Sequence, residues 1–351
     1  MRGLLVVTLL AWAGTAARAD VVETRHGAEV YTAPDGRHSR GRVVRGARFE
    51  VLERAEGKRC KGEWLRIYDR TWLCSRNARP TDDAATAETG RRKALPYTFV
   101  ATQDAIAYPT LDDAAARTNG VDLPGQGGFK YRGERTYEGE RYVKVHAGWI
   151  PAADAQVVRS IDFSGHALAP GARGKRLAFV GPRRTRVYEQ DGSRGHGFVA
   201  PQSWLGEVGE PVRAGRRTLV PLGDGRFVDR RRISIATWPA PPEVGAGEHW
   251  IDIDLSQQLL IAYAGQRPVW ATLVSTANTA TPVGEFRIEK KRPIARMTSR
   301  PGYHHKWDVL APWVVTIQGR IAFHTAYWHQ QYGRTKSQGC VNLSPRDARY
   351  V

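Results

Sequence analysis

With 351 residues, 25% of them charged and 41% hydrophobic, the chain has an ordinary globular composition and enough length for two or more domains. Its 53 lysines and arginines outnumber 35 acidic residues, giving a formal charge of +18 that favours anionic partners such as acidic polymers or lipid headgroups, or simply keeps a surface solvated. The arginines are scattered instead of interleaved with aromatics in one patch, which argues against nucleic acid, and the absence of a G-x-G-x-x-G or Walker loop leaves nucleotide chemistry without an anchor.

Residues 1–19 read as a secretory signal: a basic start at Arg2, the apolar run LLVVTLLAWAG, then Ala17-Arg18-Ala19 before Asp20. The mature chain, at +16, is expected to be exported to the periplasm or cell envelope. No later apolar run approaches the roughly 18 residues of a membrane helix, so no transmembrane segment is expected.

Repetition follows. "EVYTAPDGR" (29–37) is answered by "AIAYPTLDD" (105–113) and "RVYEQDGSR" (186–194). Tyr31 and Tyr108 each precede a tryptophan, Trp72 and Trp149, by 41 residues, and Tyr188 precedes Phe227 by 39. The spacing argues for three copies of one small β-rich unit. Alternations such as "WLRIY" and "YVKVH" suggest short antiparallel strands curled into barrels. These copies resemble bacterial SH3-like domains, at 20–80, 94–158 and 174–237; members of that family bind wall peptides or glycan, or act as spacers. Polar stretches at 80–93 and 165–175 read as connectors.

In an exported protein, Cys60 and Cys74 at the ends of two strand-like runs are expected to pair, closing a loop that chain-entropy reasoning values at about 3 kcal/mol. Cys340 is then left over, as an intermolecular bridge or a reactive thiol.

Proline and glycine cluster at "WPAPPEVGAG" (238–247), marking a boundary. Beyond it, strands are expected at "HWIDIDL", "LLIAYAG", "PVWATLVS", "GEFRIEKK", "PWVVTIQG" and "IAFHT", the pattern of a β-sandwich over 247–351. The expected fold class is therefore mainly β, three small barrels followed by a sandwich. A helix is expected at "LSPRDARYV", with Ser344 as N-cap, Pro345 at its first position and Asp347 three residues on.

His324 ends a strand and Cys340 begins another apolar run 16 residues later. A thiol becomes a useful nucleophile when an imidazole lies within hydrogen-bond reach, and Gly339 beside it lets backbone approach a carbonyl. The string His324, then Ser337-Gln338-Gly339-Cys340-Val341-Asn342, resembles the active-site signature of L,D-transpeptidases, with their YkuD-like catalytic domain. "ATPVGEF" (280–286) is similar to the family's Thr-Pro-x-Gly-x-Phe turn, and 249–277 to its opening hairpin.

The resemblance implies that Cys340 is the acylated nucleophile, His324 the base and later acid, and the Thr325 backbone carbonyl the group that fixes the imidazole tautomer. It implies that Ser337, Gln338, Gly339 and Asn342 shape the oxyanion and substrate subsite. The implied substrate is a peptidoglycan stem tetrapeptide, with D-alanine released and the acyl group passed to an amine, a protein lysine, a D-amino acid or water, without cofactor or metal. Gln338 stands where the family usually has histidine, and the chain stops sooner after the final helix than the family does, as a truncated sequence would. The alternatives are a catalytically weak wall-binding scaffold and a cysteine peptidase or amidase.

His304, His305 and His329 lack the H-E-x-x-H or C-x-x-C spacing of a zinc site and read as loop or pocket-rim residues. Trp307, Trp313 and Trp328 are candidates for a substrate cleft or for core packing.

Overall fold

A computed structural model describes residues 20–68, 70–82, 94–244 and 248–351. The signal segment 1–19 and most of the connector, 83–93, lie outside the described residues. The chain divides into two compact units, 1–87 and 88–351.

In the first unit, β1 (Val21–Thr24), β2 (Ala28–Tyr31), β3 (Thr71–Cys74) and β4 (Ala78–Pro80) form around Val22, Val30, Leu65 and Leu73. A 3-10 turn at Ser75–Asn77 carries the chain from β3 to β4, which returns antiparallel to β1. Cys60 and Cys74 are joined by a disulfide with their Cα atoms 5.5 Å apart, packed with Trp64 and Trp72.

The second unit opens with β5 (Phe99–Gln103), β6 (Gln126–Lys130) and β7 (Ala155–Val158), and β7 follows a 3-10 turn at Ala152–Asp154 to pair antiparallel with β5. After the two-residue β8 (His166–Ala167) come β9 (Leu177–Val180), β10 (Thr185–Tyr188), β11 (Phe227–Asp229) and β12 (Ile233–Ile235). Again a 3-10 turn, Arg230–Arg232, precedes a last strand that pairs antiparallel with the first, β12 with β9. The residues behind the sequence spacing are cross-strand partners in all three places: Tyr31 opposite Trp72, Tyr108 opposite Trp149, and Tyr188 opposite Phe227. A fixed interval between aromatics thus reflects one repeated ladder contact, the unit of sheet stabilisation.

Two sheets form the remainder. The first is the meander β13 (His249–Asp254), β14 (Leu259–Ala264) and β15 (Arg267–Leu273), extended at its edge by β8. The second contains β16 (Lys290–Thr298), β17 (Trp307–Gln318), β18 (Ile321–Thr325) and β19 (Val341–Leu343). Leu260, Ala262 and Val274 cluster with Val315, Phe323, Val341 and Leu343 between them, a β-sandwich as the alternation implied. The final helix, Pro345–Tyr350, is capped by Ser344, whose side chain accepts from the Asp347 amide.

Two expectations need correction. The strand expected at 284–291 starts only at Lys290 and runs to Thr298, because Val283 is 87% exposed, Gly284 has φ +138° and Phe286 faces out, so the alternation in "GEFRIE" belongs to a loop. The stretch 165–175 is not a free connector: β8 pairs with β15, and Leu168 and Ala172 enter the core.

That core is shared. Phe99, Ile161, Phe179, Leu259, Tyr263, Leu273 and Tyr332 belong to one cluster spanning the second copy, the third copy and the sandwich. Strand β17 begins earlier than its sequence suggested, at Trp307, and its first residues pair in parallel with β6, Gln126 to Trp307 and Gly128 to Val309. Glycine is required there: a Cβ at Gly128 would sit 2.5 Å from Tyr327 Oη and 3.0 Å from Val309.

Candidate active site

Strands β18 and β19 run parallel, with Phe323 opposite Val341, His324 opposite Asn342 and Thr325 opposite Leu343. Cys340 directly precedes β19, so His324 and Cys340 project from neighbouring strands two ladder steps apart, on the same face by the period-2 rule. The turn delivering the cysteine depends on Gly339, whose φ is +141° and where a Cβ would lie 3.0 Å from Ile321 and 3.3 Å from the Ala280 carbonyl. Ser337 Oγ accepts from the Gly339 amide at 3.0 Å and donates to the Cys340 carbonyl, closing the loop on itself.

The loop is anchored from outside as well. Thr281, from the "ATPVGEF" turn, donates to the Gly339 carbonyl at 2.9 Å and accepts from the Ala277 amide at 2.9 Å, so the two sequence motifs meet in space. Asn342 exchanges backbone hydrogen bonds with Ser275 at 2.8 and 3.0 Å, and the amides of Lys336 and Ser337 donate to the Thr276 carbonyl.

His324 is buried, and its Nδ1 lies 3.0 Å from the Thr325 carbonyl. A carbonyl can only accept, so Nδ1 carries the proton and the lone pair is on Nε2. Burial pulls the His324 pKa down to about 4, against the opposing pull of the Thr325 hydrogen bond, and leaves the imidazole neutral at physiological pH. The Cys340 thiol packs against Ala311, Val314 and Ala322 and donates to the Arg320 carbonyl at 3.6 Å. Burial pushes its pKa up, offset in part by the Ala322 amide and the Arg320 charge. Thiol and imidazole are therefore both neutral at rest.

His329, read from sequence as a rim residue, lies deeper than that. Its Nε2 is 3.0 Å from Asn342 Nδ2 and its Nδ1 accepts from the Gln331 amide at 3.2 Å. Burial, then the Lys336 and His324 charges, lower its pKa to about 4. The residue follows a strand end, so no periodicity announced it. Gln338 is exposed and its Oε1 accepts from Trp307 Nε1 at 2.5 Å. Trp328 stacks obliquely near His324, 5.7 Å between ring centres, whereas Trp313 donates to the Ala94 carbonyl at 2.6 Å. His304 and His305 are exposed in the β16–β17 turn. Among the described residues no three His, Cys, Asp or Glu side chains gather as a metal site.

None of the curated proteins matches the chain. Among solved structures, the L,D-transpeptidase LdtMt1 in complex with imipenem is 18% identical over 47% of this chain and 76% of its own, with a TM-score of 0.28. An L,D-transpeptidase from Mycobacterium smegmatis is 14% identical over 63% of this chain and 92% of its own, TM-score 0.28. A mutant L,D-transpeptidase from Enterococcus faecium is 23% identical over 27% of this chain and 41% of its own, TM-score 0.25. The family model for the YkuD L,D-transpeptidase catalytic domain matches residues 248–351, the stretch holding β13 to β19, His324 and Cys340. Residues 248–351 are thus a YkuD L,D-transpeptidase catalytic domain.

Proposed function

We propose that the protein is a peptidoglycan L,D-transpeptidase working through a Cys340 thioester. The observation that carries this reading is the pairing of β18 with β19, which sets His324 and Cys340 on one face while the Thr325 carbonyl holds Nδ1–H and leaves Nε2 free to take a proton. The thiol proton passes to His324 Nε2 as sulfur attacks the carbonyl of the L-centred third residue of a stem tetrapeptide. The carbon–nitrogen bond then breaks, His324 returns the proton to the departing D-alanine amine, and a thioester remains. An incoming amine gives its proton to His324, attacks the thioester and leaves an amide, and the released thiolate recovers the proton.

The Gly339 amide is engaged by Ser337 Oγ and the Asn342 amide by the Ser275 carbonyl, which supports the amide of Cys340 itself as an oxyanion donor. Ser337 and Thr281 hold the loop, Asn342 links the ladder to His329, and Gln338 faces the substrate side beside Trp307.

The repeated topology at 20–80, 94–158 and 174–237 supports reading these segments as SH3-like barrels that hold the enzyme on wall polymer. The disulfide fits an exported protein of the periplasm or cell envelope. A second reading, a wall-binding protein with weak catalysis, draws on the thiol donating to Arg320 and not to His324, and on Gln338 in place of histidine.

Intact-mass analysis after exposure to a carbapenem decides between them. One covalent adduct on the wild type and none on Cys340→Ala is expected; a folded, reduced wild type that stays unmodified sinks the catalytic reading. Product analysis with tetrapeptide donors then separates transfer to an amine from hydrolysis.

A further inference from the structure

The turn between β17 and β18 carries a cation, Arg320, whose backbone touches the Cys340 thiol and that no motif announced. Arg320 occupies the tight turn between β17 and β18, after Gly319 at φ +55°, with Gln318 paired to Ile321 across it. The turn places the backbone of residue 320 against the thiol, since its carbonyl accepts from Cys340 Sγ at 3.6 Å. The side chain is exposed and folds back along the hairpin, where Nη2 donates to the Thr298 carbonyl at 2.5 Å. That bond engages one of five N–H donors. Asp308, the carboxylate paired across the ladder from Thr298, is already held by Arg296 through bonds of 2.9 and 2.5 Å.

We infer that Arg320 is a specificity determinant, the subsite for the free carboxylate of the residue that departs from the acyl donor. The assignment rests on the transpeptidase reading. When the scissile carbonyl sits on Cys340 Sγ, standard bond lengths put the α-carboxylate carbon of the next residue about 4 Å from it. A guanidinium anchored on the Thr298 carbonyl, next to Met297 of the cluster that holds Cys340, matches a carboxylate in shape and charge. A donor ending at the departing residue presents this group; one amidated there, or extended by another residue, does not.

Alkylation of Cys340 in the full-length protein tests the subsite without any turnover. Iodoacetate and iodoacetamide differ in a carboxylate against an amide, so the ratio of their rates reads the positive charge at the thiol. Arg320→Gln is expected to lower that ratio about three- to tenfold, while Arg320→Lys retains most of it and Arg300→Gln, on the hairpin turn, leaves it unchanged. An unchanged ratio in Arg320→Gln overturns the inference. With peptide donors, Arg320→Gln should raise KM for the free-acid tetrapeptide about tenfold and leave its C-terminal amide unaffected; equal effects on both overturn the assignment. A ratio lowered by Arg320→Gln, together with a wild type that turns over no peptide, refutes the transpeptidase reading while the anion subsite stands.

Discussion

The buried imidazole of His324 and the half-buried one of His329 have folded pKa values of about 4, below the ordinary 6.5. The unfolded chain therefore binds more protons than the folded one between pH 6.5 and 4, so stability is full above that window and is lost as pH falls through it. For His324 the loss reaches about 3 kcal/mol, with less from the half-buried His329. Urea melts at pH 7 and pH 4.5 should show this, and His324→Gln should flatten the difference; an equal drop in that variant would move the acid sensitivity elsewhere. His324 and Cys340 were legible because the signature string is local in sequence. Arg320 was not, because a hairpin turn brings its carbonyl to the thiol, and His329 was read only as a loop or pocket-rim residue, because its bond to Asn342 crosses a parallel ladder that spacing along the chain does not show.

At the scale of elements, the final helix owes its seat to one side chain. Asp347 is fully buried and receives four donors: the Gly165 amide at 2.8 Å, Trp270 Nε1 at 3.0 Å, Thr272 Oγ1 at 2.7 Å and Ser344 Oγ at 2.6 Å. Burial raises its pKa and these bonds oppose the rise. Asp347→Ala leaves four buried donors without an acceptor and should cost about 3–5 kcal/mol by chemical denaturation; a cost below about 1 kcal/mol would show that water replaces the carboxylate. The sequence announced Ser344 and Asp347 as a cap, since capping follows a fixed local spacing. It did not announce Gly165 as their partner. The same division explains the displaced start of β16: alternation marks a strand only where a face is buried, and Val283 and Phe286 are exposed.

For the whole molecule, the sandwich does not close its own surface. Leu259, Tyr263 and Leu273 are covered by Phe99, Phe179 and Leu168, and Gln202 of the third copy donates to the Gln330 carbonyl at 2.9 Å. Residues 94–351 alone should melt cooperatively and form the carbapenem adduct, whereas 248–351 alone should expose this face and aggregate. A sharp thermal transition from 248–351 would contradict that expectation. Repetition in the sequence pointed to the Tyr108–Trp149 and Tyr188–Phe227 ladder contacts, but the single core that residues 94–158 and 174–237 share with the sandwich was hidden, since apolar residues do not name their partners.

The parallel pairing of β6 with β17 joins Gln126–Gly128 to Trp307–Val309. Such a long-range contact raises contact order, and loop-closure entropy must be met before the ladder repays it. During synthesis the second copy is complete long before its partner strand emerges, so the strand that carries Trp307 toward Gln338 is among the last pieces to dock. Maturation of the surroundings of Cys340 is thereby tied to the late part of the chain, and a nascent protein interrupted before β17 holds the earlier strands but neither His324 nor Cys340.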